Sequence, residues 1–212
     1  MLGTRRRTYN CYRYKFVEIR YTQSTMNKHL EPVFNVLLSG LENAGIKYWV
    51  YGGVAIAAYA RKFIRNNQDV DIFVEEAEYN VAKSVLKKLC DRYNFRLIEQ
   101  KPLSKTNRPK FDIKINGEER LSGVPVYLTN EGVELGFWKG IEKYSYQMLT
   151  PTERVISTYR FFTPPDEFIK KLFINYLTSR RDKMNKSKIK IDAKAVFTDN
   201  EYSKYYQDEA NS

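Results

Sequence analysis

Between Lys47 and Glu75 the chain reads KYWVYGGVAIAAYARKFIRNNQDVDIFVE, and few folds accommodate such a run. A short apolar segment meets a Gly-Gly pair; a small-residue helical stretch and a basic loop follow. The run closes on a strand carrying Asp69 and Asp71. Side chains alternate faces along a strand, so the two acids share one face while Val70, Ile72 and Val74 pack inward on the other. Two carboxylates side by side on an apolar strand repel each other unless positive charge lies between them, and a divalent cation fits that need. Gly52-Gly53 lets backbone approach a ligand closely and leaves amides at a helix N-terminus, a place suited to phosphate.

Charge points to the partner. The formal net charge is +11 over 212 residues, and it is clustered. Arg5, Arg6, Arg7, Arg13, Lys15 and Arg20 face only Glu18 within residues 1–24, the segment 170–194 is equally basic, and residues 195–212 are acidic. Such clustering favours a polyanion, with nucleic acid first. The longest mostly apolar run, Tyr48–Ala60, is too short and too glycine-broken to span a bilayer. The basic N-terminus lacks the apolar centre of a secretory leader. Cys11 and Cys90 have no framework spacing, and Cys90 falls on an apolar helix face as a buried thiol. A reducing, cytoplasmic setting is expected. A lone His29 argues against zinc or a His-based relay, and Gly53–Lys62 lacks the Gly-Lys-Ser/Thr ending of a P-loop.

The expected fold class is α+β. Residues 1–24 form a basic arm with an edge strand over Tyr14–Tyr21, and residues 25–149 form a mixed β-sheet flanked by helices. A smaller helical part covers 150–194 and a polar tail 195–212. Leu30, Val33, Phe34, Leu37, Leu38 and Leu41 recur at helical spacing from Asn27, and Gly45 ends that helix. A second amphipathic helix spans about Ala77–Tyr93, its stripe running from Val81 through Ala82, Leu86 and Cys90 to Tyr93. Short strands follow at Arg96–Gln100, Lys110–Asn116, Val124–Leu128 and Val133–Trp138. Thr150-Pro151 and Pro164-Pro165 each open a helix.

Asp112 sits mid-strand in KFDIKI, with Lys110 and Lys114 two positions to either side. If that strand lies beside Asp69–Glu75, Asp112 completes a three-carboxylate cluster. Glu134, equally mid-strand in VELGF, is its rival. Hard oxygen ligands with room for water and phosphate suit Mg²⁺, and two such ions can clamp an in-line displacement at phosphorus. Asp112 is placed to take the proton of the attacking hydroxyl.

Gly52-Gly53, a gap of 15 residues and then Asp69-Val-Asp71-Ile resembles the nucleotidyltransferase superfamily that includes DNA polymerase β. Its signature is a Gly-Gly or Gly-Ser turn, an Asp-x-Asp strand and a third acid on a later strand. Within it the chain is most similar to the AbiEii-type toxin nucleotidyltransferases and to small antibiotic nucleotidyltransferases. The resemblance implies that Gly52 and Gly53 hold the nucleotide phosphates and that Asp69, Asp71 and Asp112 are catalytic and bind metal. Arg65, with Lys62 or Arg61 as lesser candidates, faces the triphosphate. Arg160 stands where AbiEii-like proteins carry a helical lysine, which marks it as a further nucleotide contact. Arg180-Arg181-Asp182-Lys183 is a loose echo of their later Lys-Asp-x-x-Asp motif.

The implied activity is Mg²⁺-dependent transfer of a nucleoside monophosphate from an NTP to a hydroxyl, releasing pyrophosphate. The basic ends favour an RNA acceptor, with a tRNA 3′ end and an antitoxin partner implied by the toxin branch. An antibiotic acceptor is the alternative. A non-catalytic binding module is the other, and it predicts an occluded Asp69/Asp71 pair.

Overall fold

The computed structural model describes residues 26–102, 106–137, 140–179 and 186–206. The arginine arm, Cys11, the Tyr14–Tyr21 strand and the Arg180–Lys183 echo lie outside the described residues. The chain from Lys28 is helical but not as one α-helix. A 3₁₀ turn (Lys28–Leu30) leads into a π-helical stretch (Val33–Leu38) and then α1 (Ser39–Asn43). All six apolar positions that set its period are buried, and Gly45, at φ 72°, ends it.

There follow β1 (Tyr48–Tyr51), α2 (Gly52–Tyr59), β2 (Val70–Glu75), α3 (Glu76–Tyr93), β3 (Arg96–Gln100), β4 (Lys110–Ile115), β5 (Glu118–Thr129), β6 (Gly132–Phe137) and β7 (Gly140–Tyr144). They build one mixed sheet in the order β1-β2-β5-β4-β3, with β6 on the later half of β5 and β7 on β6. Only the β2–β5 pair is parallel. The long β5 organises the sheet, because β2 takes one edge while β4 and then β6 share the other.

Register decides which side chains meet, since cross-strand neighbours share a face. Tyr51, Asp71, Ser122 and Asp112 form one row across four strands, and Trp49, Phe73 and Val124 form the next row on that face. Val50, Ile72, Gly123 and Phe111 form a row on the opposite face. There the Phe111 ring lies across Gly123, where any Cβ would collide with it. This second face carries the main core, under the leading helical segment and α3. In α3 the buried stripe is Tyr79, Ala82, Leu86 and Cys90, whereas Val81 and Tyr93 are 57% and 48% exposed. The expected stripe was thus too wide at both ends.

A helix opening at Thr150-Pro151 is replaced by a hairpin, β8 (Thr152–Ile156) and β9 (Tyr159–Thr163), turning at Ser157 with φ 57°. Its residues are mostly β-branched or aromatic and alternate in burial, a strand pattern that outweighs the Thr-Pro helix-start signal. Tyr159 and Phe161 pack on Phe34 and join the main core. Helix α4 (Asp166–Ser179) follows Pro164-Pro165, as the sequence indicates. Two more helices follow, α5 (Ser187–Val196) and, within the expected polar tail, α6 (Asp199–Tyr206); they pack with α2 and α4 through Ala55, Ile56, Phe173, Leu177 and Ile189. Among the described residues no helix is long and apolar enough to cross a membrane.

Candidate active site

A cavity of about 390 Å³ opens where the first face of the sheet meets α2, α4 and α5. Gly52, Gly53, Asp69 and Asp71 line one side; Tyr176, Lys188 and Asp192 stand on the other. Gly52 adopts φ +67°, and a Cβ there would lie 2.6 Å from Asp71 Oδ2. Only glycine meets both conditions. At Gly53 an added Cβ would run into Arg65 Nη2 and Asn67 Oδ1, so that position too is shaped by what leans on it. Tyr51, stacked on Phe73 at 3.9 Å between ring centres, ends β1 and starts the turn into α2.

The acids are starved of positive charge. Burial pushes Asp71 up to about 8, and Asp69, Glu119 and Asp112 add to the shift against Lys110. Burial likewise raises Asp69, with Glu119 and Asp112 adding and Lys110 and Lys188 opposing. A pair of hard oxygen donors in this state fits a divalent cation, and Asp69 and Asp71 are the residues that would hold it. Asp112 is buried one strand beyond Ser122 and does not line the cavity. It accepts from Ser122 Oγ at 2.7 Å and from Gln100 Nε2, and it pairs with Lys110 Nζ at 2.9 Å. Accordingly, among the described residues no three acidic, His or Cys side chains form a ready-made ion cage. Glu134 lies on the opposite face, in register with Tyr127, and its carboxylate pairs with Arg108 at 2.8 Å.

Arg65 reaches the cavity wall, but its guanidinium is already engaged. Nε and Nη2 donate to the two oxygens of Asp192 on α5, each at 2.7 Å, and Nη1 donates to the Asn66 carbonyl. Asp192 is nevertheless raised, because burial outweighs the help it receives from Arg65 and Lys188. Lys62 is exposed just past the end of α2 and does not line the cavity. Arg160 is on β9, outside the cavity, and pairs with Glu153 at 2.9 Å. The helix that would have presented Arg160 is a hairpin, which explains its placement.

Several residues of the site carry no signal in the sequence. Asn27, buried at φ 63°, holds the 65–68 loop by donating to the Arg65 carbonyl and accepting from the Asn67 amide. Glu142 on β7 reaches the cavity and accepts from Asn175 at 2.8 Å. Lys188 and Asp192, four apart on α5, present both charges on one helix face, a spacing visible once that helix is recognised.

Residues 31–211 match the family described as nucleotidyl transferase of unknown function (DUF2204). The chain belongs to this family. It is a nucleotidyltransferase, and its fold is shared by solved members of that class. The antibiotic-resistance factor ANT(2″)-Ia superposes with a TM-score of 0.57 at 15% identity, over 86% of this chain and 92% of that one. The lincosamide antibiotic adenylyltransferase LnuA gives 0.53 at 15% identity, over 82% of this chain and 100% of that one. A Thermotoga maritima protein gives 0.51 at 9% identity, over 76% and 93%. Identities this low speak for the fold. No curated protein matches the chain in sequence.

Proposed function

We infer that the chain transfers a nucleoside monophosphate from an NTP to a hydroxyl group with Mg²⁺. The observation that carries this is the Asp69/Asp71 pair, raised and lining the cavity side by side with the Gly52-Gly53 start of α2. The open pair speaks against an occluded, non-catalytic module. Magnesium, when bound, neutralises the phosphates and polarises the phosphorus under attack. The chain's residues do the rest. Amides at the start of α2 bind phosphate oxygens, with Arg65 beside them and Lys188 across the cavity. The acceptor oxygen attacks the α-phosphorus; an oxygen–phosphorus bond forms, the bond to the bridging oxygen breaks, and pyrophosphate leaves with the electron pair. The hydroxyl proton passes to solvent in the cavity, while Asp112, which Ser122, Gln100 and Lys110 hold one strand behind the cavity wall, bears on Asp69 and Asp71 through its charge rather than by touching the acceptor.

RNA is the acceptor this charge distribution favours. Asp192 is spent on Arg65, and Asp69 and Asp71 face the metal, which leaves Glu142 against Lys188 and no strong bias inside the cavity. The flank decides: Lys186, Lys190 and Lys194 extend from Lys188 along α5, and the sequence of residues 1–24 is itself strongly basic. A cationic small molecule is the second reading, because acids outnumber cations on the metal-free cavity wall and two fold relatives are named for antibiotics. Each common NTP, labelled at the α-phosphate, is incubated with the chain, Mg²⁺ and either total cellular RNA or a panel of hydroxyl-bearing antibiotics. Label in a discrete RNA band supports the first reading, and label in an antibiotic the second. Label in neither, with no pyrophosphate released, overturns both.

A further inference from the structure

Behind the 65–69 loop lies a second depression, a groove of about 540 Å³ between the leading helical segment, the end of α3 and β5. The two hollows share that loop as a wall. His29 Nε2–H donates to the Asn67 carbonyl at 2.7 Å, and Arg120 Nη1 donates to the Gln68 carbonyl at 2.8 Å. His29 and Arg120 line the groove, while Asn67 and Gln68 line the cavity beside Asp69.

The groove has an aromatic platform with cations around it. Tyr93 and Phe95 stack at 5.9 Å with planes 23° apart, and Tyr93 is left 48% exposed at the end of α3. Asn94, at φ 59°, turns the chain between them. Lys28, His29 and Arg120 line the groove against Glu31, with Glu118 matched to Arg120, and exposed Arg92 and Arg96 flank the aromatic pair along the chain. An apolar helix or strand would want a continuous apolar floor, which Lys28, Asn35, Asn116 and Arg120 interrupt. Exposed stacked aromatics among cations instead suit unpaired bases and their phosphates.

We propose that this groove binds single-stranded RNA. Bases stack on Tyr93, phosphates meet Lys28, Arg92 and Arg96, and the strand's end passes Gln68 into the cavity. The proposal rests on the RNA-acceptor reading above and deepens it by naming the surface that holds the acceptor.

The test is fluorescence anisotropy of a short fluorescein-labelled oligouridine with the full chain in EDTA, so that binding is read without transfer. Tyr93→Ala weakens binding about five-fold or more, and Tyr93→Trp restores it. Lys28→Ala weakens binding and lowers the salt dependence by about 0.7 in the log–log slope. Both side chains are exposed, so these variants fold, as a melting curve verifies. Arg160→Ala, on a hairpin outside both hollows, binds the oligonucleotide as wild type does, which shows that the loss follows from the groove and not from any removed cation. No binding at low salt overturns the proposal, as does binding unchanged by Tyr93→Ala and Lys28→Ala. If the groove variants behave as expected but no label enters RNA, the surface stands and the transfer reading falls.

Discussion

Removing the Asp71 carboxylate, a proposed metal ligand, should make the metal-free protein more stable. Burial beside Asp69 pushes the Asp71 carboxyl from 3.8 up to about 8. The sign follows from proton counts. Between these values the native state holds the proton and the unfolded chain releases it, so stability is fully present below about pH 4 and is lost as pH rises towards 8. Each tenfold change in proton affinity is worth about 1.4 kcal/mol, which sets a ceiling of about 6 kcal/mol. Relaxation and water entry reduce such penalties, so about 1–3 kcal/mol is the expected loss at pH 8. Asp71→Asn keeps the shape and removes the charge. In EDTA at pH 8 it should gain about that amount over wild type, roughly 2–8 °C in Tm for a chain of this size. The gain should shrink at pH 5. Mg²⁺ should raise the Tm of wild type and leave Asp71→Asn unmoved. Urea or thermal unfolding of both proteins across pH 5–8, with and without EDTA, reads all of this. An Asp71→Asn variant less stable than wild type at pH 8 in EDTA would refute the reasoning.

The other expected outcomes are more local. Asp192→Ala leaves the Arg65 guanidinium without its bidentate partner in a site where the side chains are only 14% and 3% exposed, so unfolding assays should show a loss of about 3–5 kcal/mol. Gly52→Ala changes no functional group, yet it strains a φ of +67° and pushes on Asp71; about 1–3 kcal/mol of stability and nearly all transfer activity should disappear together. Arg160→Ala should leave the KM for NTP unchanged, because that residue pairs with Glu153 on a hairpin away from the cavity; a rise of several-fold would restore it to the nucleotide site.

How far the sequence speaks depends on whether a signal is local. Gly52-Gly53 and Asp69-Val-Asp71 are legible because turn chemistry and strand alternation act within a few residues, and the sheet, α2 and α4 follow from the same rules. The choice between Asp112 and Glu134 is not local. Register across β5 puts Asp112 on the face of Asp71 and Glu134 on the other, and no spacing along the chain encodes that. The hairpin β8–β9 was hidden by a Thr-Pro helix-start signal, and its error carried Arg160 into the site on paper. Helix α5 was hidden by its lysines. Their charge masks an apolar face, Ile189, Ala193 and Val196, that becomes decisive only against α2 and α4. With that helix unseen, the partner of Arg65 was unseen as well.

On the proposed reading, Asp69 and Asp71, beside Gly52-Gly53, serve transfer of a nucleotide rather than of a terminal phosphate. The most direct measurement compares one NTP labelled at the α-phosphate with the same NTP labelled at the γ-phosphate, given to wild type and Asp71→Asn with Mg²⁺ and total RNA. The account predicts acceptor labelled from the α-position only, the γ-label released in pyrophosphate, and both signals absent from Asp71→Asn and from EDTA-treated wild type. Acceptor labelled from the γ-position, or α-label transferred undiminished by Asp71→Asn, would contradict it.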